Sequence, residues 1–256
     1  AIQDFARYRA SSEGGGYRVS TLDIEEVYNR FSYGVRTPQA IRNLINQYAK
    51  ADLQFVLLVG RSKDPQVARF SRQGWKEDLI PNAGWPGSDI ALAMKSFQEP
   101  IPQVAIGRLF VSSPTQAAAY FRKVKRLEAQ PRAAPWRNRI MHLSGGYSDA
   151  EREVFATYID SFTQQLDLSE RYFNVSSIYK TTNEPQQLID ISSAINEGVA
   201  LVTLFGHSSL TETDLDFGYV TDTTFGYTNL GKYPAFWLNG CASGNMYFRG
   251  TTVSTD

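Results

Sequence analysis

The feature that most constrains the fold is Phe55-Val-Leu-Leu-Val-Gly60, an unbroken apolar run closed by glycine. The run does not alternate polar with apolar side chains, so it reads as a strand buried on both faces, as in a parallel sheet. A second run, Gly198-Val-Ala-Leu-Val-Thr-Leu-Phe205, has the same apolar character. Neither is long enough to cross a bilayer, which takes about 20 apolar residues in a helix.

Around these runs, strands and helices alternate. In Asp23–Phe31 the residues Ile24, Val27, Tyr28 and Phe31 fall at helical spacing. Thr37 and Pro38 open a helix as N-cap and first-turn proline, with Ile41, Leu44, Ile45 and Tyr48 as its apolar stripe. Val104–Val111 reads as a strand, and the helix from Ser113 carries Ala117, Tyr120, Val124 and Leu127. After the proline-interrupted stretch Gln130–Arg139 the pattern restarts. Strands are expected at Ile140–Leu143, Arg171–Tyr179, Val199–Phe205 and Ala235–Leu238. Helices are expected at Ala150–Leu166, with Val154, Tyr158, Ile159 and Phe162 inward, and at Pro185–Asn196, with Leu188, Ile191 and Ile195 inward. Tyr17–Leu22 alternates as a further strand. Residues 61–100 are loop-rich, punctuated by Asp64-Pro, Ile80-Pro, Trp85-Pro-Gly and Glu99-Pro. Strands alternating with helices give an α/β fold with mostly parallel sheets flanked by helices. The expected division is an N-terminal α/β subdomain over 1–130, a linker over 131–136 and a second α/β subdomain over 137–256.

Composition narrows the function. The 256 residues hold 26 basic and 26 acidic side chains, which argues against a general nucleic-acid binder. The halves differ: residues 1–128 carry 18 basic and 12 acidic groups, and residues 129–256 carry 8 and 14. Complementary charge across an internal interface and two domains with different partners are both compatible with this, and tight packing of the two subdomains is expected. One cysteine excludes a disulfide framework and a cysteine zinc cluster, and two histidines leave little for a histidine metal site. No metal or other cofactor is expected. The chain begins with Ala1 and ends at Thr251–Asp256 without a closing element, so it reads as an excised piece of a longer protein, and the missing signal peptide says nothing of export.

Two segments carry chemistry. Val199–Phe205 is followed by Gly206-His207, and Ala235-Phe-Trp-Leu-Asn is followed by Gly240-Cys241. Each is an apolar strand, a glycine that permits a sharp turn, then a reactive side chain. In open α/β sheets, ligands bind beyond the carboxyl ends of the strands. A thiolate is a nucleophile, and an adjacent imidazole lowers the thiol pKa or shuttles its proton. The same imidazole can protonate a leaving amine. From spacing alone a second reading stands: a small buried cysteine and a satisfied surface histidine. His142 lies inside a strand and is read as structural.

Gly206-His207 and Gly240-Cys241, 34 residues apart between the reactive pair, resemble the gingipain family of cysteine peptidases, in the caspase-like clan. Other blocks follow in the family's order. These are Tyr17-Arg-Val, Ile24-Glu-Glu-Val-Tyr-Asn-Arg-Phe-Ser-Tyr-Gly, Thr37-Pro-Gln-Ala-Ile-Arg, Phe55-Val-Leu-Leu-Val-Gly, Ser88-Asp89, Ile101-Pro-Gln-Val-Ala-Ile-Gly-Arg108 and Cys241-Ala-Ser-Gly-Asn. The resemblance implies a caspase-like α/β fold of two packed subdomains, the second incomplete at its C-terminus and carrying a Cys241–His207 dyad. It implies a cysteine endopeptidase acting on protein or peptide substrates through a thioester acyl-enzyme. It also implies export to the outside or the outer-membrane surface of a bacterium, as for the sortase of the type IX secretion system or a secreted protease. The oxyanion donors would be the backbone N–H groups of Ser208 and Cys241, because donors must sit where charge develops.

The chain departs from the family's pattern in three places. Ser208 stands where the family usually has glycine after the histidine. The acidic residue behind the histidine has Ser144 as its nearest match, with Asp149 and Glu151 further along. Family members also continue well beyond the point equivalent to Asp256. The alternative reading is an inactive caspase-like scaffold serving as a binding or secretion-accessory domain. For specificity, arginine-selective relatives use an acidic pocket residue, since a buried carboxylate holds a guanidinium through paired charge-assisted hydrogen bonds. Asp149 is the expected counterpart; Glu212, Asp214, Asp216 and Asp222 read as a solvated acidic loop.

Overall fold

The computed structural model of the chain describes residues 1–70, 74–84, 86–96, 98–167 and 172–247; Trp85, Arg171 and Thr251–Asp256 lie outside them. The chain divides into two compact units, Ala1–Arg122 joined by the segment that begins at Asn245, and Lys123–Gly244.

The first unit runs α1 (Ile2–Ala10), α2 (Ile24–Ser32), α3 (Pro38–Ala49), β1 (Phe55–Val59), α4 (Pro65–Phe70), α5 (Gly74–Glu77), α6 (Ile90–Ala93), β2 (Ala105–Leu109) and α7 (Pro114–Glu128), which carries the chain onward. The caps sit where the sequence supplies them. Asp23 accepts from the Glu25 N–H and Thr37 from the Gln39 N–H, with Pro38 in the first turn. β1 and β2 pair in parallel, with Phe55 opposite Ala105 and Val59 opposite Leu109. Ile41 and Ile45 of α3, Leu58, Leu92, Ala93 and Val104 form the core of this unit. β1 is covered on one face only: Leu58 is buried, while Phe55 and Leu57 are exposed. The both-face burial expected for this strand is therefore corrected, because its sheet has two strands among the described residues. Tyr17–Leu22 forms no strand; Tyr17, Val19 and Leu22 lie exposed, and alternation without a partner ladder builds no sheet. Arg108, its side chain 1% exposed, is fully engaged. Its Nε and Nη2 donate to Asp89 at 2.8 and 2.7 Å, and Nη1 donates to the carbonyls of Gly60 and Ile80 at 2.8 and 2.7 Å. The Tyr247 hydroxyl donates to the same Asp89 at 2.8 Å.

The second unit begins with a 3-10 turn at Pro135–Asn138 and continues with β3 (Arg139–Ser144), α8 (Asp149–Asp167), β4 (Asn174–Tyr179), β5 (Gln187–Leu188), α9 (Ser192–Glu197), β6 (Leu201–Phe205), β7 (Leu215–Asp216) and β8 (Ala235–Asn239). Residues 131–136 include Trp136, which is buried, and the Arg137 guanidinium beside them donates to the carbonyls of Leu127, Gln130 and Pro131. The main sheet has the order β4-β3-β6-β8, every pair parallel. Parallel strands need crossovers of a dozen or so residues, and α8 and α9 lie on two of them. One core is built by Met141, Leu143, Ile191, Ile195, Val199, Val202, Leu204 and Leu215. α8 packs through Ile159, which is completely buried, with Phe155 and Tyr158 against the Phe205 ring. Val154, Tyr158 and Phe162 remain half-exposed rather than inward. The helix expected over Pro185–Asn196 is shorter, Ser192–Glu197, and Leu188 is exposed. The residues before it pair as β5 with β7: the Gln187 and Ile189 N–H groups donate to the Asp214 and Asp216 carbonyls at 2.9 and 2.7 Å. Those long-range bonds override the local helical pattern.

His142, on β3, is 2% exposed, with Nδ1 at 2.5 Å from the Thr203 hydroxyl on β6 and the Phe162 ring beside it. Burial holds its pKa below the ordinary value of 6.5, so the folded chain keeps it neutral while the unfolded chain takes up a proton. The stability from His142 is therefore complete above pH 6.5 and is lost as pH falls from there through the lower folded pKa. Chemical denaturation midpoints are expected to fall between neutrality and mild acid. His142→Asn is expected to flatten that slope while lowering stability at all pH values.

Candidate active site

The carboxyl ends of β3, β6 and β8 gather the reactive residues. Phe205 is the register partner of both Ser144 and Asn239. Two residues past those ends come Gly146, His207 and Cys241. The Gly206 N–H still donates to the Asn239 carbonyl at 3.3 Å, so the turns that carry His207 and Cys241 leave the sheet side by side. Neighbouring strands are about 4.8 Å apart. Cys241 is exposed.

The two glycines before the reactive residues serve close approach rather than unusual torsion. Neither Gly206 nor Gly240 has positive φ. A Cβ on Gly206 would lie 2.5 Å from the Asp214 carboxylate, and one on Gly240 would lie 2.3 Å from the Ser208 hydroxyl. The left-handed residue is Ala242, at φ 59°. It turns the chain directly after the cysteine, a conformation that costs a non-glycine residue about 1–2 kcal/mol.

His207 is held on two sides. The Tyr147 ring stacks on the imidazole at 4.1 Å and 10° between planes, and the Phe155 ring lies 5.6 Å away. The Glu151 Oε2 atom is 3.3 Å from His207 Nε2 and accepts the Tyr147 N–H at 2.8 Å. Glu151 stands three residues after Ser148, whose hydroxyl accepts the Glu151 N–H at 3.2 Å, the serine half of a capping box at the start of α8. The Tyr147 N–H, and after it the bond to His207, holds the Glu151 carboxyl below the usual range, so it is ionised at neutral pH. Tyr147 is pushed up by burial first, then by the nearby Asp214 and Glu151 carboxylates.

Ser208 ties the two turns together: its Oγ donates to the Cys241 carbonyl at 2.7 Å. Among the described residues, neither the Ser208 N–H nor the Cys241 N–H donates to a protein acceptor. Asp149 is elsewhere in its chemistry. It is the first residue of α8, its side chain is 85% exposed, and it accepts from Arg152 at 2.7 Å. Asp214, expected in a solvated acidic loop, is instead 2% exposed; that expectation is corrected. Sequence reasoning missed Tyr147, Asp214 and Lys180. The Ser148-x-x-Glu151 spacing was the available signal for Glu151, whereas nothing local marks the other three as neighbours of His207. Among the described residues no group of three or more His, Cys, Asp or Glu side chains could hold a metal ion, and no helix is long and apolar enough to cross a membrane.

Comparison with known proteins gives the same direction. Three solved structures share the fold. A complex of Porphyromonas gingivalis RgpB pro- and mature domains matches at TM-score 0.62 and 21% identity, covering 96% of this chain and 53% of that one. The Arg-specific cysteine proteinase gingipain R matches at TM-score 0.55 and 21% identity, covering 88% and 53%. A further protease structure matches at TM-score 0.59 and 17% identity, covering 82% and 44%. The chain thus spans about half the length of the structures it resembles. No curated protein sequence matches it. The sequence profile described as peptidase family C25 covers residues 1–256, and the chain belongs to that family, the gingipain family of cysteine peptidases.

Proposed function

We propose that the chain carries the nucleophile and the acid/base of a cysteine endopeptidase. Cys241 attacks the peptide carbonyl, and a C–S bond forms as the carbonyl π pair moves to oxygen. The Ser208 and Cys241 N–H groups are the donors for that oxyanion. His207 takes the thiol proton and returns it to the leaving amine as the C–N bond breaks, leaving a thioester that water hydrolyses. With Nε2 facing Glu151, Nδ1 is the nitrogen that exchanges the proton. The observation that carries this reading is the pair of parallel strands that set Gly206-His207 beside Gly240-Cys241, with the imidazole packed against Tyr147 and bonded to Glu151.

The substrate class is protein or peptide, and the setting is the cell exterior or surface, as in a type IX secretion pathway. Asp149 stands as the proposed selector of a basic side chain; to act it must exchange Arg152 for the substrate, because the two are now paired. A non-catalytic scaffold is the second reading, favoured by one observation: the Ser208 side chain occupies space beside Gly240 where the family usually has a glycine.

The experiment is alkylation of Cys241 by iodoacetamide near neutral pH. His207→Ala is expected to slow it about tenfold by withdrawing the group proposed to accept the thiol proton. Equal rates in the two proteins would place Cys241 outside any dyad and favour the scaffold.

A further inference from the structure

We propose that Asp214 and Lys180 form a charged clamp on Gly146 that positions His207; this rests on the peptidase reading above. Asp214 is 2% and Lys180 is 3% exposed, and neither belongs to the nucleophile, base or oxyanion set. The Gly146 N–H donates to Asp214 Oδ2 at 2.7 Å. The Lys180 ammonium donates to the Gly146 carbonyl at 3.1 Å and to the Glu184 carbonyl. One glycine is thus gripped by a carboxylate at its N–H and an ammonium at its C=O. Gly146 takes φ 125°, open only to glycine, and a Cβ on Gly145 would lie 2.2 Å from Asp214, so this turn admits no other residues.

The clamp leads directly to the imidazole. The residue after Gly146 is Tyr147, whose ring covers His207 and lies 5.1 Å from the Lys180 ammonium. The Asp214 N–H donates to the His207 carbonyl at 2.9 Å. Asp214 therefore bonds through its backbone to the histidine and through its side chain to the turn that supplies the tyrosine and, four residues on, Glu151. Holding two charges out of water is costly, and Asp214 Oδ1 is buried with no partner among the described residues. The hydrogen bonds that the two side chains make to Gly146 fix where the Tyr147 ring and the Glu151 carboxylate meet His207.

The test is a double-mutant cycle on the pH dependence of Cys241 alkylation by iodoacetamide, with folding checked by circular dichroism. Asp214→Ala and Lys180→Met are expected each to lower the rate near neutral pH about tenfold and to move the pH midpoint toward that of His207→Ala. Asp214→Asn, which keeps an acceptor for the Gly146 N–H, is expected to recover most of the rate. In the His207→Ala background none of the three changes the rate further. Effects that multiply with His207→Ala, or a pH midpoint that does not move, overturn the clamp while leaving the dyad intact. If His207→Ala itself has no effect, the dyad fails and the clamp with it. Should Asp214→Ala not fold, Lys180→Met alone decides by the same criteria.

Discussion

In the full-length protein, peptide hydrolysis is expected to disappear when Cys241 is replaced by alanine, and to fall by about 10²–10⁴-fold in His207→Ala, the usual contribution of a positioned acid/base. The chain holds a single thiol, so no neighbouring cysteine substitutes for the first loss. The second loss is smaller because the proposed oxyanion donors are backbone groups and survive the change. Steady-state kinetics on a peptide library check both. The loss in His207→Ala should fall on kcat rather than KM, since the imidazole acts on the proton and not on substrate side chains. A variant lacking Cys241 that still cleaved peptides would remove the thiol from the reaction.

Gly240→Ala is expected to disturb the setting of Cys241 as well, through space rather than chemistry. Its new Cβ would lie 2.3 Å from the Ser208 hydroxyl and 3.2 Å from the Gly206 carbonyl. Overpacking of this kind costs about 1–3 kcal/mol. Ser208 has one escape, rotation of its side chain, which breaks the bond to the Cys241 carbonyl and frees the two turns to move apart. The double variant Gly240→Ala with Ser208→Gly removes the obstructing atoms and is expected to recover part of the alkylation rate of Cys241 and part of the melting temperature. If Ser208→Gly gives no recovery, the glycine at 240 is required for a reason other than contact with Ser208.

The sequence already pointed to the four strands of the second unit's main sheet and to the glycine turns that carry His207 and Cys241 past two of them. A continuous apolar run marks a parallel strand: Val199–Phe205 holds the buried β6, and Ala235–Leu238 holds β8, which lies at the edge of the sheet among the described residues and is largely exposed. What supports those residues was less legible. Glu151 is tied to His207 across 56 positions and Asp214 to Gly146 across 68, and no local pattern encodes such pairs. The apolar spacing over Pro185–Asn196 indicated a helix, but Gln187–Leu188 found strand partners in Leu215–Asp216, and tertiary pairing overrode propensity. The acidic stretch after His207 read as solvated because charge is usually exposed. Only the fold shows that Gly145 and Gly206 leave the space into which the Asp214 carboxylate is buried.

The most direct test of the Cys241–His207 pairing is labelling with a peptidyl acyloxymethyl ketone, an electrophile that activated thiols attack and ordinary thiols leave alone, followed by mass spectrometry of the modified residue. A single adduct on Cys241 that forms in the native protein, is lost on denaturation and is lost in His207→Ala is the predicted result. Absence of any adduct in the folded protein, or an adduct on Cys241 that forms equally well without His207, would contradict it.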